Sequence, residues 1–318
     1  SKSGSNFLSQ PNAIWHVLEA DEFDRSFHHL HPTCAAITNI DPDHLDIYGS
    51  EKAFHQAFVT FGTQVQRTLI LPYGVAWPES QFPKLERFAV IHSDEEIPAG
   101  ATHAAVVSGG QGAVTFYLGM SGIPASAAVT FEAHPSVPGL HNTANALVAV
   151  ALAMHAGVDK EALKTGIETF QGVHRRLDVH LDTSAAVYVD DYAHHPSELS
   201  ALIQTVKSEW PGRPVSIVFQ PHLYSRTQDF LEEFAQALAL ADQIFLLPIY
   251  PAREEPIPGV DAQLLFDNIS GTAKHLSTSE SIFGDLKACS VDVLVTAGAG
   301  DIDRLVPKFL EHMQDRLI

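Results

Sequence analysis

Ala13-Ile14-Trp15-His16-Val17-Leu18 runs straight into Glu19-Ala20-Asp21-Glu22-Phe23-Asp24, and Cys34-Ala35-Ala36-Ile37-Thr38 runs into Asn39-Ile40-Asp41-Pro42-Asp43-His44-Leu45-Asp46. Each is an apolar run of strand length that stops at acid and imidazole, and each is expected to be a buried strand. Ligands of parallel α/β sheets collect beyond the carboxyl ends of the strands, so polar groups there are the first candidates for a site. Seven carboxylates lie between Glu19 and Asp46. Acids beside a buried strand cost desolvation free energy unless a cation, a metal ion or backbone donors offset it. The density suggests a bound cation, with Glu19 and His44 as the leading pair. Asp21, Asp24 and Asp46 read more simply as solvated loop acids, and His44 has the alternative of capping a helix.

Composition narrows the partners. The 318 residues are room for about two domains, and 45% hydrophobic residues suffice for ordinary cores. A formal charge of −19 argues against a broad basic face for nucleic acid or an anionic membrane. An anionic ligand must then be held locally, by helix N-termini, a metal ion or a few arginines. Cys34 and Cys289 supply neither a disulfide framework nor a zinc site, which suits a reducing compartment. No apolar run approaches the roughly 20 residues that span a bilayer, and Ser-Lys-Ser-Gly-Ser-Asn at the start is no signal peptide, so a cytoplasmic location is expected.

Beyond the acidic stretch, Ser50 should cap a helix from Glu51 to Phe61, with Phe54, Phe58 and Phe61 on its core face. Thr68 to Leu71, Ala113 to Tyr117 and Ala127 to Phe131 read as strands. Val137-Pro138-Gly139-Leu140 opens a helix reaching His155 whose first turn places Asn142 and Asn145 three apart on one face. Two carboxamides there suit a heterocycle such as adenine, and Asn142 could equally be a helix cap. Asp159 caps a helix to Phe170, and Gly172-Val173 reads as a hinge. His174-Arg175-Arg176-Leu177-Asp178 then concentrates cations in an acidic chain, and guanidinium forks match phosphate oxygens.

From Ala186 onward strands and helices alternate, which predicts a parallel sheet covered on both faces. Expected strands are Ala186–Val189, Val215–Phe219, Ile244–Leu247 and Val291–Thr296, with helices between them and after the last. Asp190-Asp191-Tyr192-Ala193-His194-His195, Gln220-Pro221-His222-Leu223-Tyr224-Ser225-Arg226 and Gly298-Ala299-Gly300-Asp301 each follow one of these strands. Together they mark a binding edge. Pro196 suits the first helical position and places His194 and His195 at a helix entrance. Gly298-Ala299-Gly300 lacks the third glycine of a dinucleotide fingerprint, and no Gly-x-x-x-x-Gly-Lys-Ser/Thr phosphate loop occurs in these residues.

Read in order, these clusters resemble the Mur ligase family over almost the whole chain. The resemblance rests on Glu-Ala-Asp-Glu-x-Asp at Glu19, Thr-Asn-Ile-x-x-Asp-His-Leu-Asp at Thr38 and Gly-x-His-Asn-x-x-Asn-Ala at Gly139. It continues through Arg-Arg-Leu-Asp at Arg175, Asp-Asp-Tyr-x-His-His-Pro at Asp190, Phe-Gln-Pro-His-x-Tyr-x-Arg-Thr at Phe219, Ile-Tyr-Pro-Ala-Arg-Glu at Ile249 and Gly-Ala-Gly-Asp-Ile-Asp at Gly298. It implies an α/β fold: residues 1–172 as a partial central, mostly parallel-sheet ATPase domain and 173–318 as a Rossmann-like, amino-acid-binding C-terminal domain. It also implies that a UDP-sugar-binding domain and the ATP phosphate loop lie outside the chain. On that reading these residues alone bind nucleotide weakly and lack ligase activity.

The same resemblance implies ATP and Mg²⁺ as cofactors, with UDP-N-acetylmuramate and L-alanine joined through an acyl phosphate. Glu19 and His44 would then serve Mg²⁺, and Asn142, Asn145, Arg176 and Asp191 the nucleotide. Tyr192, His195, His222 and Arg226 would face the substrates, with His194, His222 and Arg226 as the catalytic candidates. Leu223 departs from the pattern, since an arginine linked to the amino acid's carboxylate often stands there. Rival readings are a recycling ligase that takes an intact tripeptide, a non-catalytic nucleotide-sugar-binding homologue, and a dinucleotide-dependent oxidoreductase, which the incomplete glycine pattern disfavours.

Overall fold

The computed structural model describes residues 11–42, 45–78, 84–108, 112–120 and 128–316. The chain divides into two compact units, residues 2–171 and 172–318.

In residues 2–171, six strands lie side by side in chain order: β1 (Cys34–Ala36), β2 (Thr68–Pro72), β3 (Leu85–His92), β4 (His103–Val107), β5 (Val114–Leu118) and β6 (Val129–Ala133). β1 to β4 run parallel, while β5 and β6 return antiparallel. A short helix α1 (Leu45–Tyr48) precedes α2 (Glu51–Thr63), which starts where the Ser50 side chain accepts the Ala53 N–H. Phe54, Phe58 and Phe61 of α2 pack with Phe27 into one core. On another core, α3 (Leu140–His155) lays Leu147, Val148, Val150 and Ala151 against Phe88, Ala105, Phe116 and Phe131. Asp159 caps α4 (Lys160–Thr169) by accepting the Ala162 N–H.

The apolar run Ala13 to Leu18 is not a strand. Ile14, Val17 and Leu18 are 88%, 93% and 68% exposed, and among the described residues the sheet begins at β1, which pairs only with β2. A strand needs a ladder partner and an apolar face to cover, and here this run has neither.

Residues 172–318 form the alternating α/β unit that the pattern predicts. Its sheet has the order β11 (Ala273–Leu276), β10 (Gln243–Leu246), β9 (Val215–Phe219), β12 (Val293–Ala297), β8 (Val187–Asp191) and β7 (Asp178–Asp182). All pairs are parallel except β7 with β8. Successive side chains of a strand point to opposite faces, and the sequence sorts accordingly. Val187, Val189, Ile217, Phe219, Val293 and Val295 face Leu199 and Leu202 of α5 (Pro196–Glu209) and Phe234 of α7 (Leu231–Leu238). Tyr188, Val218, Phe245 and Leu294 face Ile282 of α9 (Ile282–Lys287) and Phe309 and Met313 of α10 (Val306–Asp315). Helices α6 (Tyr224–Asp229) and α8 (Ala262–Asn268) complete the layers. Strand β8 runs two residues further than expected and includes Asp190 and Asp191 themselves. The carboxyl ends of β8, β12 and β9 are therefore neighbours, and the three polar clusters meet on one edge. No helix among the described residues is long and apolar enough to cross a membrane.

Val17→Lys tests the exposed placement of the first apolar run. At this exposure the substitution should shift urea unfolding by less than about 0.5 kcal/mol, whereas a buried strand position would lose several-fold more.

Candidate functional site at the carboxyl edge of the second sheet

The edge is organised by residues 173–178, which double back on themselves. The Arg176 N–H donates to the Val173 carbonyl at 3.0 Å, and Arg175 and Leu177 hold left-handed φ values of 59° and 47°. Such conformations cost roughly 1–3 kcal/mol each and persist where the surroundings over-determine them. Here the end of β8 does so. Arg175 Nε donates to Asp190 Oδ2 at 3.0 Å, and its Nη2 donates to the Gly298 carbonyl at 2.6 Å. The Leu177 and Ala193 N–H groups donate to the two oxygens of Asp191 at 2.6 and 2.7 Å. Behind them, Tyr188 donates to Thr296, which donates to Asp190 Oδ1 at 2.7 Å.

Asp190 is fully buried and ion-paired, so its charge is answered by one guanidinium and one hydroxyl. Among the described residues, Asp191 makes no ion pair. Burial pushes its carboxyl up to about 6, against the two N–H donors and the Arg176 charge that favour ionisation. Arg176 is the outward member of the arginine pair. It reaches Glu198 at 3.4 Å and lies over the Tyr192 ring, which Arg175 and His194 also approach.

His195 serves as the N-cap of α5. Its Nδ1 accepts the Ser197 N–H, Glu198 answers in a capping box, and its ring packs edge-on against Phe230. Pro196 lacks the N–H that a first helical residue leaves unpaired, which is why the cap falls at His195. The expectation of a substrate contact at His195 thus meets a ring occupied with helix structure. His194 turns the other way: its Nδ1 donates to the Tyr192 carbonyl at 2.9 Å, which makes Nε2 the acceptor in the neutral ring.

After β9, His222 forms a parallel bridge with Tyr250, and the two rings stack at 5.8 Å. Its ring also meets His194 edge-on at 5.9 Å. The buried Arg226 places Nη1 3.5 Å from His222 Nδ1, so a proton on that nitrogen would face a cation. Burial, then Arg226, His194 and Arg253, depress His222 to about 4. This imidazole is neutral at physiological pH, and the burial and cations that keep it so also oppose its taking up a proton. Leu223 is buried at φ 70°, anchored by its N–H to the Tyr250 carbonyl at 3.0 Å.

Gly298-Ala299-Gly300 closes the edge by close packing. Gly298 has φ 143°, and a Cβ there would stand 2.6 Å from the Gln220 carbonyl oxygen. At Gly300 a Cβ would lie 2.6 Å from Tyr250 Cβ and would overlap the Gln220 side chain, which donates to Asp301 and accepts the Ile302 N–H. The glycines let the backbone approach.

In residues 2–171 the expected site residues are more dispersed. Glu19 is exposed in a segment without regular secondary structure, and His44 lies outside the described residues. The next acids are used locally: Asp21 accepts the Phe23 N–H, and Asp41 accepts the Asn39 amide. Asn142 stands in the first turn of α3 behind Gly139 and Asn145 in the second, with Asn142 donating to the Pro138 carbonyl at 2.7 Å and Asn145 exposed.

Patterns shared with known proteins agree with this arrangement. Residues 11–153 match the Mur ligase middle domain, and residues 175–302 match the Mur ligase, glutamate ligase domain. The UDP-N-acetylmuramate–L-alanine ligase of Porphyromonas gingivalis is 39% identical over 315 residues, covering 98% of this chain and 67% of that protein. The chain belongs to the Mur ligase family. Another relative, the UDP-N-acetylmuramate–L-alanine ligase of Cytophaga hutchinsonii, is 40% identical over 304 residues, covering 92% of this chain and 61% of that protein. The chain thus spans about two thirds or less of these Mur ligases. Among solved structures, the UDP-N-acetylmuramate-alanine ligase of Thermotoga maritima superposes with a TM-score of 0.68 at 25% identity, over 92% of this chain and 62% of that one. A murein peptide ligase of Psychrobacter arcticus shares the fold, with a TM-score of 0.60 at 20% identity.

The residues that residue-type reasoning missed in this Mur ligase edge are Arg175, Asp190, Gln220 and Tyr250. Arg175 was visible only as half of an arginine pair, and which half turns inward depends on a left-handed turn that no periodicity reports.

A stability measurement tests the depressed His222. The unfolded chain takes up a proton at this imidazole near 6.5 and the folded chain only near 4, so folded stability should fall as pH drops through that window. His222→Gln should flatten that limb of the pH–stability curve, and an unchanged slope would show that the ring titrates normally.

Proposed function

We propose that the chain is the ATP-binding and amino-acid-binding part of a UDP-N-acetylmuramate–L-alanine ligase, a cytoplasmic enzyme of peptidoglycan precursor synthesis. Residues 1–172 are the central ATP-binding domain in this reading and residues 173–318 the amino-acid-binding domain. The relatives' identity supports it, and so does one observation at the site: a neutral imidazole, His222, held between a buried guanidinium and a second imidazole.

That arrangement suits amide formation from a carboxylate and an amine. The carboxylate attacks the γ-phosphate of ATP to give an acyl phosphate and ADP. The amine of L-alanine then attacks the acyl carbon, and phosphate leaves. The amine must shed a proton; His194 through Nε2 is the acceptor the edge offers, and the neutral His222 beside Arg226 serves to position the reacting groups. Arg226 supplies a fixed positive charge for a substrate carboxylate, the task that an arginine at position 223 would otherwise share. Tyr192 and Arg176 flank the entrance to this edge, and Asp191 holds both adjoining loops.

Asn142 and Asn145 offer carboxamide donors and acceptors to the adenine. The exposed carboxylate of Glu19 is the kind of hard oxygen donor Mg²⁺ prefers, and with His44 it would hold that ion. When bound, Mg²⁺ supplies charge neutralisation on the transferring phosphoryl group.

In the full-length protein, ADP release should require both UDP-N-acetylmuramate and L-alanine, and His222→Gln should lower turnover by about 10²-fold or more with a smaller effect on ATP KM. ADP release without either substrate would contradict the proposal. Preference for an intact tripeptide over L-alanine would transfer it to the recycling reaction.

A further inference from the structure

Within residues 2–171, Glu86 on β3, His103 on β4 and His155 at the end of α3 converge. Glu86 and His103 are 3% and 0% exposed, and the His155 side chain is 13% exposed. The same oxygen, Glu86 Oε2, lies 2.7 Å from His103 Nε2 and 2.8 Å from His155 Nε2, while Lys84 Nζ reaches Oε1 at 2.6 Å. Burial alone would raise the Glu86 carboxyl. The hydrogen bonds from His103, Lys84 and His155 outweigh it and hold the group well below the usual carboxylate range.

Two histidines and a carboxylate within 4.8 Å are the residue types of a transition-metal site. One contact decides otherwise. The Gly119 N–H points at His103 Nδ1 at 3.3 Å, so that nitrogen is the acceptor and the ring proton sits on Nε2, the atom a metal would need bare. A ligating histidine normally donates from its other nitrogen, and here that nitrogen receives. Oxygen–nitrogen separations of 2.7–2.8 Å are likewise those of charge-assisted hydrogen bonds.

The rest of the α3 contact surface gives the triad its purpose. Apart from the triad, α3 packs on this core through Ala144, Ala146, Leu147, Val148, Val150, Ala151, Leu152, Ala153 and Met154, all of them apolar, so none of these contacts supplies a directional bond that fixes its position along its axis. A buried polar network is satisfied at one position only, and a slip of one helical turn would take the His155 donor away from Glu86 and leave that carboxylate with His103 and Lys84 alone. Asn142 lies thirteen residues before His155, roughly 20 Å along the axis at about 1.5 Å per residue. We infer that Glu86, His103 and His155 are positioning residues that pin the axial register of α3 and so set where Asn142 and Asn145 stand. The consequence for nucleotide binding rests on the role proposed for those asparagines.

The test uses the full-length protein with His155→Leu, which removes the donor, and His155→Gln, whose amide can donate in its place. The Leu variant should speed amide exchange across residues 140–155 by roughly tenfold. It should also raise ATP KM by about fivefold with turnover at saturation and L-alanine KM unchanged, and the Gln variant should restore both. Wild-type protein titrated with zinc chloride should bind no zinc at this cluster, a measurement that needs no substitution to fold. Unchanged exchange in the Leu variant, failure of Gln to rescue, or stoichiometric zinc binding lost on either substitution would overturn the pin. Altered exchange with unaltered ATP KM would leave the pin standing and overturn the assignment of the asparagines to nucleotide.

Discussion

The guanidinium of Arg175 holds the carboxyl edge of the second sheet together. Asp190 lies one residue before the end of β8 with no exposure to water, and a carboxylate there is tolerable only if its charge is answered on the spot. Arg175 answers it and, with the same fork, grips the Gly298 carbonyl at the end of the neighbouring strand. One ion pair therefore ties the segment that opens the unit to the ends of β8 and β12. The left-handed turn at residues 175–177 follows from this, because no regular conformation brings the fork to both acceptors while Leu177 reaches Asp191.

The chemistry of the edge follows from the same condition. Where a cation is already committed, a neighbouring imidazole is kept neutral, and where burial outweighs a more distant cation, a carboxyl is pushed towards its neutral form. His222 beside Arg226 is the first case and Asp191 the second. Two groups of opposite chemistry are moved towards neutrality by burial, and burial is the work of apolar strands that are already optimal for a parallel sheet. The site thus needs no feature alien to the fold. It requires that the residues after each strand be polar and that glycines at 298 and 300 allow the loops to close on Gln220 and Tyr250.

Much of this was legible in the residues. The alternation from Ala186 onward foretold the parallel sheet, and the Asp-Asp, Gln-Pro-His and Gly-Ala-Gly clusters foretold which edge would carry polar groups. The Ala13–Leu18 run was misleading because apolar composition reports a tendency to be covered and not the presence of a cover. β7 went unnoticed for the opposite reason: as an edge strand it alternates charged and apolar residues and is only partly buried. Arg175's inward role escaped because it depends on a left-handed turn, whereas Pro196 already placed His195 at the entrance of the helix that it caps. Glu86 and His103 sit seventeen residues apart on neighbouring strands, and His155 joins them from a helix, so only the folded register makes them a cluster.

A double-variant cycle on Arg175 and Asp190, read by chemical unfolding, is the most direct measurement of the claim that this ion pair holds the edge. Arg175→Met alone should cost roughly 3–5 kcal/mol because it strands a buried charge. Asp190→Asn in the same chain should recover a large part of that loss, giving strong coupling between the positions. Costs that simply add would mean that Arg175 and Asp190 act independently, and the account of the edge built on them would be wrong.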